Sequence, residues 1–363
     1  KNLWTKSMSQ KLNNFHRKYF SELAVSLAKI NMYITGENPS VGCVVTNFSN
    51  EILSTGCTSA RGRPHAEYNA LVKLDNKSKK RVFVTLEPCN HFGKTPPCTS
   101  IIKKKNVKEV YCSNEDHNPI VKNKGFNFLN KNKILVVRKK ITNQKLNNKY
   151  TYSVTTKKPY VTGKLALTKN FSTIWKGKKY FTNSDSLKFS HLLRYTNDSI
   201  LVGKNTFLKD FPKLNCRLPG LFQFTPKIFI INGNLTIKPK HLRLYTKKTT
   251  IFHSCEDTKK ISKYKKCFHL EKIKTTSGII SPNEILSRIY SLGSRRLLVE
   301  GGLKTLKLFE KSNLVNKYLL IRSNLNAPKV LSSAKSLIWS LCANNLSRSK
   351  VDINLSNDEL FSI

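Results

Sequence analysis

Apolar residues first fall into a helical rhythm at Leu23, Leu27, Ile30 and Ile34, one face of a 3.6-residue period. The run Gly36-Glu37-Asn38-Pro39 breaks that helix. Val41–Thr46 reads as a buried strand, and His65–Leu74 as a helix after a Gly-Arg-Pro loop. Arg81–Leu86 reads as a strand that runs into Glu87-Pro88-Cys89. A short helix over Thr99–Lys105 and a strand over Val107–Ser113 follow. Alternation of this kind predicts a three-layer α/β domain. Residues 139–158, rich in Lys, Asn and Thr, read as a linker, with a boundary near residue 152. A second α/β series places strands at Tyr160–Leu167, Ser199–Val202, Lys227–Ile231 and Arg296–Glu300. The expected division is an extension over 1–19, one domain over 20–152 and another over 153–363. No internal repeat is found, and periodicity fades from about residue 329 onward.

A length of 363 residues suits two domains. A 39% hydrophobic content excludes a disordered chain. No run of about 18 apolar residues occurs, which excludes a membrane-spanning helix. Nine scattered cysteines argue against a disulfide scaffold and for a reducing compartment. The net charge of +44, from 65 basic and 21 acidic residues, suggests nucleic acid, an acidic surface or phosphorylated ligands. Yet only 13 of the basic residues are Arg against 52 Lys, and 36 Asn accompany them along the whole chain. Base readers rely on bidentate Arg, so the lysines read as a solvated surface. Their field would still draw in a phosphate-bearing small molecule. Residues 1–21 hold no acid and read as a basic extension. The expected location is cytoplasmic, or an organellar stroma if that leader is a transit-peptide remnant.

The sharpest chemical signal is His65-Ala66-Glu67 followed by Pro88-Cys89 and Pro97-Cys98. One imidazole and two thiolates suit zinc, and three protein ligands leave a fourth tetrahedral position for water. Zinc makes water a nucleophile near neutral pH. Glu67, two residues after His65, can reach that water and carry its proton to a departing amine. The zinc-deaminase signature H-x-E…P-C-x-x-C is matched except that the second cysteine comes later, at Cys98. The remaining cysteines lack metal spacing and read as ordinary thiols.

The stretches ENPSVGCVV (37–45), GRPHAEYNAL (62–71) and VTLEPCNHFGKTPPC (84–98) resemble the bifunctional riboflavin-biosynthesis deaminase/reductases, as does DHNP (116–119). The resemblance implies a cytidine-deaminase-like three-layer α/β/α domain followed by a dihydrofolate-reductase-like α/β domain. It implies one Zn2+ per chain on His65, Cys89 and Cys98, with Glu67 as the catalytic proton shuttle. Asn38, His91 and Lys94 would line the pocket for a diaminopyrimidinone bearing ribosylamine 5-phosphate. The implied partners are phosphorylated pyrimidines and further copies of the chain, with no specific nucleic acid and no membrane.

In the second half no G-x-G-x-x-G follows a strand. A buried strand instead meets Gly301-Gly302 and an amphipathic helix, Leu303–Phe309, whose free N–H groups suit a pyrophosphate. The resemblance continues through KLAL (164–167), DSILVGKNTFLKD (198–210), LNCR (214–217) and EGG (300–302). It implies an NADPH-dependent reductase. Arg194, Leu214, Arg217 and Glu300 would hold the phosphorylated sugar, with both guanidinium groups suited to phosphate. Ala166, Tyr180, Thr206, Asp210 and Gly302 would meet the cofactor. No general acid for the reduction is visible.

Thr168-Lys169-Asn170-Phe171 departs from the family's Ser-Leu-Asp-Gly, and the lost glycine predicts crowding at the nicotinamide end. A Pro-Lys-x-x-Gly stretch is not recognisable near Ser323–Ala327. Two alternatives follow: a deaminase whose second domain is impaired or only a scaffold, and a nucleic-acid base deaminase.

Overall fold

A computed structural model describes residues 14–138, 146–177, 180–222, 224–238, 249–276, 278–330, 333–343 and 349–363. The chain divides into two units, Lys1–Thr156 and Lys157–Ile363. Among the described residues no helix is long and apolar enough to cross a membrane.

The first unit is built on β1 (Gly42–Thr46), β2 (Ile52–Cys57), β3 (Lys80–Val84), β4 (Val107–Cys112) and β5 (Leu135–Arg138). Their order is β2-β1-β3-β4-β5. β1 is antiparallel to both neighbours, and β3, β4 and β5 are parallel. Successive side chains point to opposite faces. Val44, Phe83 and Tyr111 meet Phe20 and Ala24 of α1 (Asn14–Ile30) on one side. The Phe83 ring lies 5.0 Å from Phe20 and 4.8 Å from Tyr111, centroid to centroid, within the range where aromatic pairs attract. Cys43, Val45, Val82, Val84, Val110 and Cys112 face the other way. There they are covered by α2 (Ala66–Leu71), α3 (Cys98–Lys104) and α4 (Lys124–Lys131). Three layers result.

Three elements of this unit, β2, α4 and β5, are not predicted by the sequence pattern. A fourth, α5 (Asn148–Thr156), occupies ground read as a linker. Its approach is tied down by Asn147, which accepts the Ser40 N–H (3.1 Å) and donates to the Ser40 carbonyl (2.9 Å). Of the expected extension, residues 14–19 belong to α1 and residues 1–13 lie outside the described residues.

The second unit holds β6 (Tyr160–Leu167), β7 (Ser199–Gly203), β8 (Lys227–Ile231), β9 (Thr249–His253) and β10 (His269–Lys272). A small ribbon, β11 (Thr275–Thr276) and β12 (Ile279–Ile280), stands apart from the sheet. β13 (Arg296–Val299), β14 (Lys317–Arg322), β15 (Ser349–Lys350) and β16 (Glu359–Ser362) complete the set. The sheet order is β10-β9-β8-β7-β13-β6-β14-β16-β15. Pairing is parallel from β10 to β14, and β16 is antiparallel to β14 and β15.

One face packs Leu201, Phe229, Phe252 and Val299 under α9 (Pro282–Ser291), α10 (Leu303–Glu310) and α11 (Lys335–Ala343). The other packs Ile200, Val202, Ile230 and Ile251 under α6 (Ser184–Thr196), α7 (Lys204–Asp210) and α8 (Thr258–Lys265). β7 and β13 are parallel neighbours at mid-sheet, and the helices that follow them, α7 and α10, pack on opposite faces. Ligands of open parallel sheets sit outside the carboxyl ends of strands at such a reversal.

Candidate metal centre and reductase cleft

In the first unit His65 caps the start of α2, Cys98 begins α3, and Cys89 follows the turn after β3. One ligating atom from each lies within 4.8 Å of the others. His65 Nδ1 is 3.3 Å from Cys98 Sγ and 3.6 Å from Cys89 Sγ. Tetrahedral zinc, at about 2.1 Å from nitrogen and about 2.3 Å from sulfur, demands nitrogen–sulfur separations of about 3.6 Å. The donor set and its spacing therefore fit zinc.

Glu67 lies in the first turn of α2 and is buried, with 4% exposure. Its carboxyl group interacts electrostatically with His65, Cys89 and Cys98, so it lies beside the metal ligands. Burial, then the nearby Cys89 sulfur, pushes its pKa up to about 7. The hydrogen bond from the Cys98 thiol, helped by His65, holds Cys89 well below the usual thiol range despite burial. The same bond pushes Cys98 up.

Cys89 is anchored from two sides. The Cys98 N–H donates to its sulfur (3.4 Å) and the Thr99 N–H to its carbonyl (3.2 Å). Just before it, Glu87 accepts the N–H groups of Asn123 (3.1 Å), Gly125 (3.1 Å) and Phe126 (3.4 Å) where α4 begins. A Cβ on Gly125 would stand 1.9 Å from the Pro88 carbonyl oxygen, so only glycine lets α4 approach this closely. Sequence reasoning gave neither Glu87 nor Gly125 a role. The available signal was an acid directly before the Pro-Cys pair.

The three residues assigned to the pyrimidine pocket fall on loops that carry or adjoin the ligands. Asn38 is half-buried and packs over Gly62. His91 and Lys94 lie between the two cysteines, Lys94 exposed and His91 with a buried Nδ1 that makes no hydrogen bond.

In the second unit a cleft of ≈ 1490 Å³ opens at the carboxyl ends of β6, β7 and β13. Its walls include all nine residues assigned to the reductase: Ala166, Tyr180, Arg194, Thr206, Asp210, Leu214, Arg217, Glu300 and Gly302. Their roles divide differently from the expectation. Arg194 directs its fork at Glu300, Nε to Oε2 and Nη2 to Oε1, both at 2.8 Å. Its third nitrogen donates to the Asn215 carbonyl (3.2 Å). That guanidinium orients a carboxylate rather than offering itself to phosphate. Arg217 is exposed, and its guanidinium bonds only the Asn215 side chain (3.1 Å) among the described residues, which leaves most of its side-chain donors for an anion. Leu214 is 1% exposed with its side chain in the core, so it meets the cleft through its backbone. Thr206 Oγ1 accepts the Gly302 N–H (2.7 Å) and locks the glycine turn to α7.

Lys164 is the cleft residue that sequence reasoning missed. Its Nζ lies 3.6 Å from Glu300 Oε1, with 13% side-chain exposure. Burial lowers its pKa although Glu300 pulls the other way. Burial alone would raise Glu300, but Arg194 and Lys164 together hold it below the usual carboxylate range.

The two departures from the family pattern meet in space. Asn170 bonds both backbone groups of Ala327, its Nδ2 to the carbonyl (2.8 Å) and its Oδ1 from the N–H (3.0 Å). The Lys169 N–H reaches the Leu325 carbonyl (2.8 Å). Phe171 stands in the left-handed region, φ +64°, where a glycine would be at ease. Its ring packs against the core and is not among the residues that line the cleft.

Two family descriptions match the chain. "Cytidine and deoxycytidylate deaminase zinc-binding region" covers residues 15–114, and "RibD C-terminal domain" covers 163–340. Riboflavin biosynthesis protein RibD of Aquifex aeolicus is 32% identical over 327 residues, 88% of this chain and 89% of the relative. The structure of Acinetobacter baumannii RibD, form 2, is 24% identical and superposes with a TM-score of 0.83, over 96% of this chain and 98% of that one. A deaminase/reductase structure from Thermotoga maritima is 26% identical, with a TM-score of 0.75 and the same coverage.

Fold, metal centre and cleft together define a zinc-binding deaminase domain joined to a nicotinamide-dependent reductase domain. This is the expected fold class. The chain belongs to the RibD family of bifunctional riboflavin-biosynthesis enzymes and carries both of its domains.

Proposed function

We propose that the first unit removes ammonia from 2,5-diamino-6-ribosylamino-4(3H)-pyrimidinone 5′-phosphate, and that the second reduces the ribosyl group of the product with NADPH. The observation that carries this reading is the convergence of His65, Cys89 and Cys98 beside the buried carboxyl of Glu67. Zinc, one ion per chain on those three ligands, supplies the Lewis acidity that activates water. Glu67 takes a proton from the attacking water and returns it to the amine as the C–N bond breaks. Asn38, His91 and Lys94 orient the pyrimidine and its sugar phosphate.

In the second unit NADPH supplies the hydride when bound. Ala166, Tyr180, Thr206, Asp210 and Gly302 position it. Reduction opens the C1′–O4′ bond of the ribose, and a proton must reach O4′. Lys164 is the buried ammonium placed to give it. Glu300, fixed by Arg194, accepts from the sugar hydroxyls, and Arg217 meets the phosphate.

Ammonia release by zinc-loaded protein, followed by NADPH-dependent consumption of the dione, tests both steps. Absence of ammonia release sinks the first assignment. Release without NADPH oxidation sinks the second. Arg217→Ala is expected to raise KM for the reductase substrate about 10–100-fold, the loss of a charge-assisted phosphate contact. Ammonia release by the same variant should match the parent, because Arg217 lies outside the deaminase unit.

A further inference from the structure

One cation beside the metal centre has no part in the chemistry above. Arg63 stands two residues before His65, and its Nη1 donates to Thr95 Oγ1 on the loop between the two cysteines. Its Nη2 and the edge of the His91 ring lie 3.4 and 3.8 Å from one point, the place a Cβ on Gly93 would occupy. The residue before Arg63, Gly62, has φ +85° and lies so close to Asn38 that a Cβ would come within 2.1 Å of Nδ2. Arg63 and His91 therefore converge on Gly93, with Asn38 packed over the preceding Gly62 and Lys94 directly following Gly93 in the chain. Among the described residues no carboxylate pairs with Arg63.

A guanidinium carries five donors, and Thr95 engages one nitrogen. An uncharged pyrimidine ring offers little to such a group. A phosphate monoester, with a charge of about −1.5 to −2 near pH 7, matches its planar fork. We propose that Arg63 is a further substrate-holding residue of the deaminase, one that takes the 5′-phosphate together with Lys94. The proposal rests on the deaminase reading above. Thr95 fixes the guanidinium over the inter-cysteine loop, so the anion subsite and the second metal ligand are carried by one segment.

The test compares deamination of the phosphorylated substrate with that of its dephosphorylated counterpart. Wild type, R63Q, R63K and T95V are measured, with zinc stoichiometry for each. In R63Q the kcat/KM preference for the phosphorylated form is expected to fall about 10–100-fold, mainly through KM. R63K should recover part of it, since charge returns without the fork. T95V keeps the guanidinium but frees it, and should lose a smaller share. Inhibition of deamination by ribose 5-phosphate should weaken in the same order. An unchanged preference in R63Q, or an equal loss on both substrates, overturns the proposal. If R63Q fails to hold zinc, T95V decides: a preference equal to wild type overturns it. No ammonia from either substrate with wild-type protein would instead sink the deaminase reading, and this proposal with it.

Discussion

Glu67→Gln is expected to lower ammonia release by about 10²–10⁴-fold, the loss that follows removal of a general acid–base. Zinc content should stay at the parental level. Glutamine fills the same buried slot and keeps a polar group toward Cys98, but it cannot exchange a proton with water. Burial brings this carboxyl to about 7, and a bound dication would draw the value down. The sign of the acid limb follows. Only the ionised form can take the first proton, so the rate falls as pH drops through the carboxyl pKa. Glutamine at this position should abolish that limb. Activity above about a tenth of parental would remove Glu67 from the proton path. Loss of zinc with loss of activity would make it a structural support of the centre.

Lys164→Met is expected to slow NADPH-dependent reduction by about 10²–10³-fold, with ammonia release intact because the residue lies in the other unit. Methionine replaces the stem without the ammonium. Burial sets the lysine below its ordinary value of 10.5. The donor works protonated, so the rate should fall as pH rises through that lowered pKa. In K164M the alkaline limb should vanish along with most of the rate. Persistence of the same limb in the variant would assign the proton to another group.

The metal centre was legible because each ligand sits inside a short motif. His65 and Glu67 share one helix start, and each cysteine follows a proline. Lys164 was not legible for the opposite reason. It is one lysine among 52, and only its place in the largely buried β6, opposite Glu300, distinguishes it. Arg194 and Arg217 looked alike as phosphate forks. What separates them is that β13 delivers Glu300 to one of them alone.

Among the strands, Tyr160–Leu167 shows itself through Val161, Leu165 and Leu167, apolar positions an even number of residues apart on one face. Thr249–His253 is fully buried but starts with two threonines, and its pattern reads as polar. β16 is held by pairing with β14 far back in the chain, and local periodicity carries no trace of that partnership. The Thr168–Phe171 segment was legible only in part. Its lost glycine stood out in the sequence, but the bond of Asn170 to Ala327 and the packing of the Phe171 ring against the core did not.

The Lys164–Glu300–Arg194 network has a consequence for how the molecule responds to its medium. The surface lysines attract an anionic ligand over a distance of only about 8–10 Å at physiological salt, and dissolved ions blunt that pull. The three charges inside the cleft are shielded from those ions by protein atoms. On the proposed roles, ionic strength would act more on how readily the sugar phosphate is captured than on proton delivery from Lys164. Brine and buffer would change the appetite of the enzyme more than its bite.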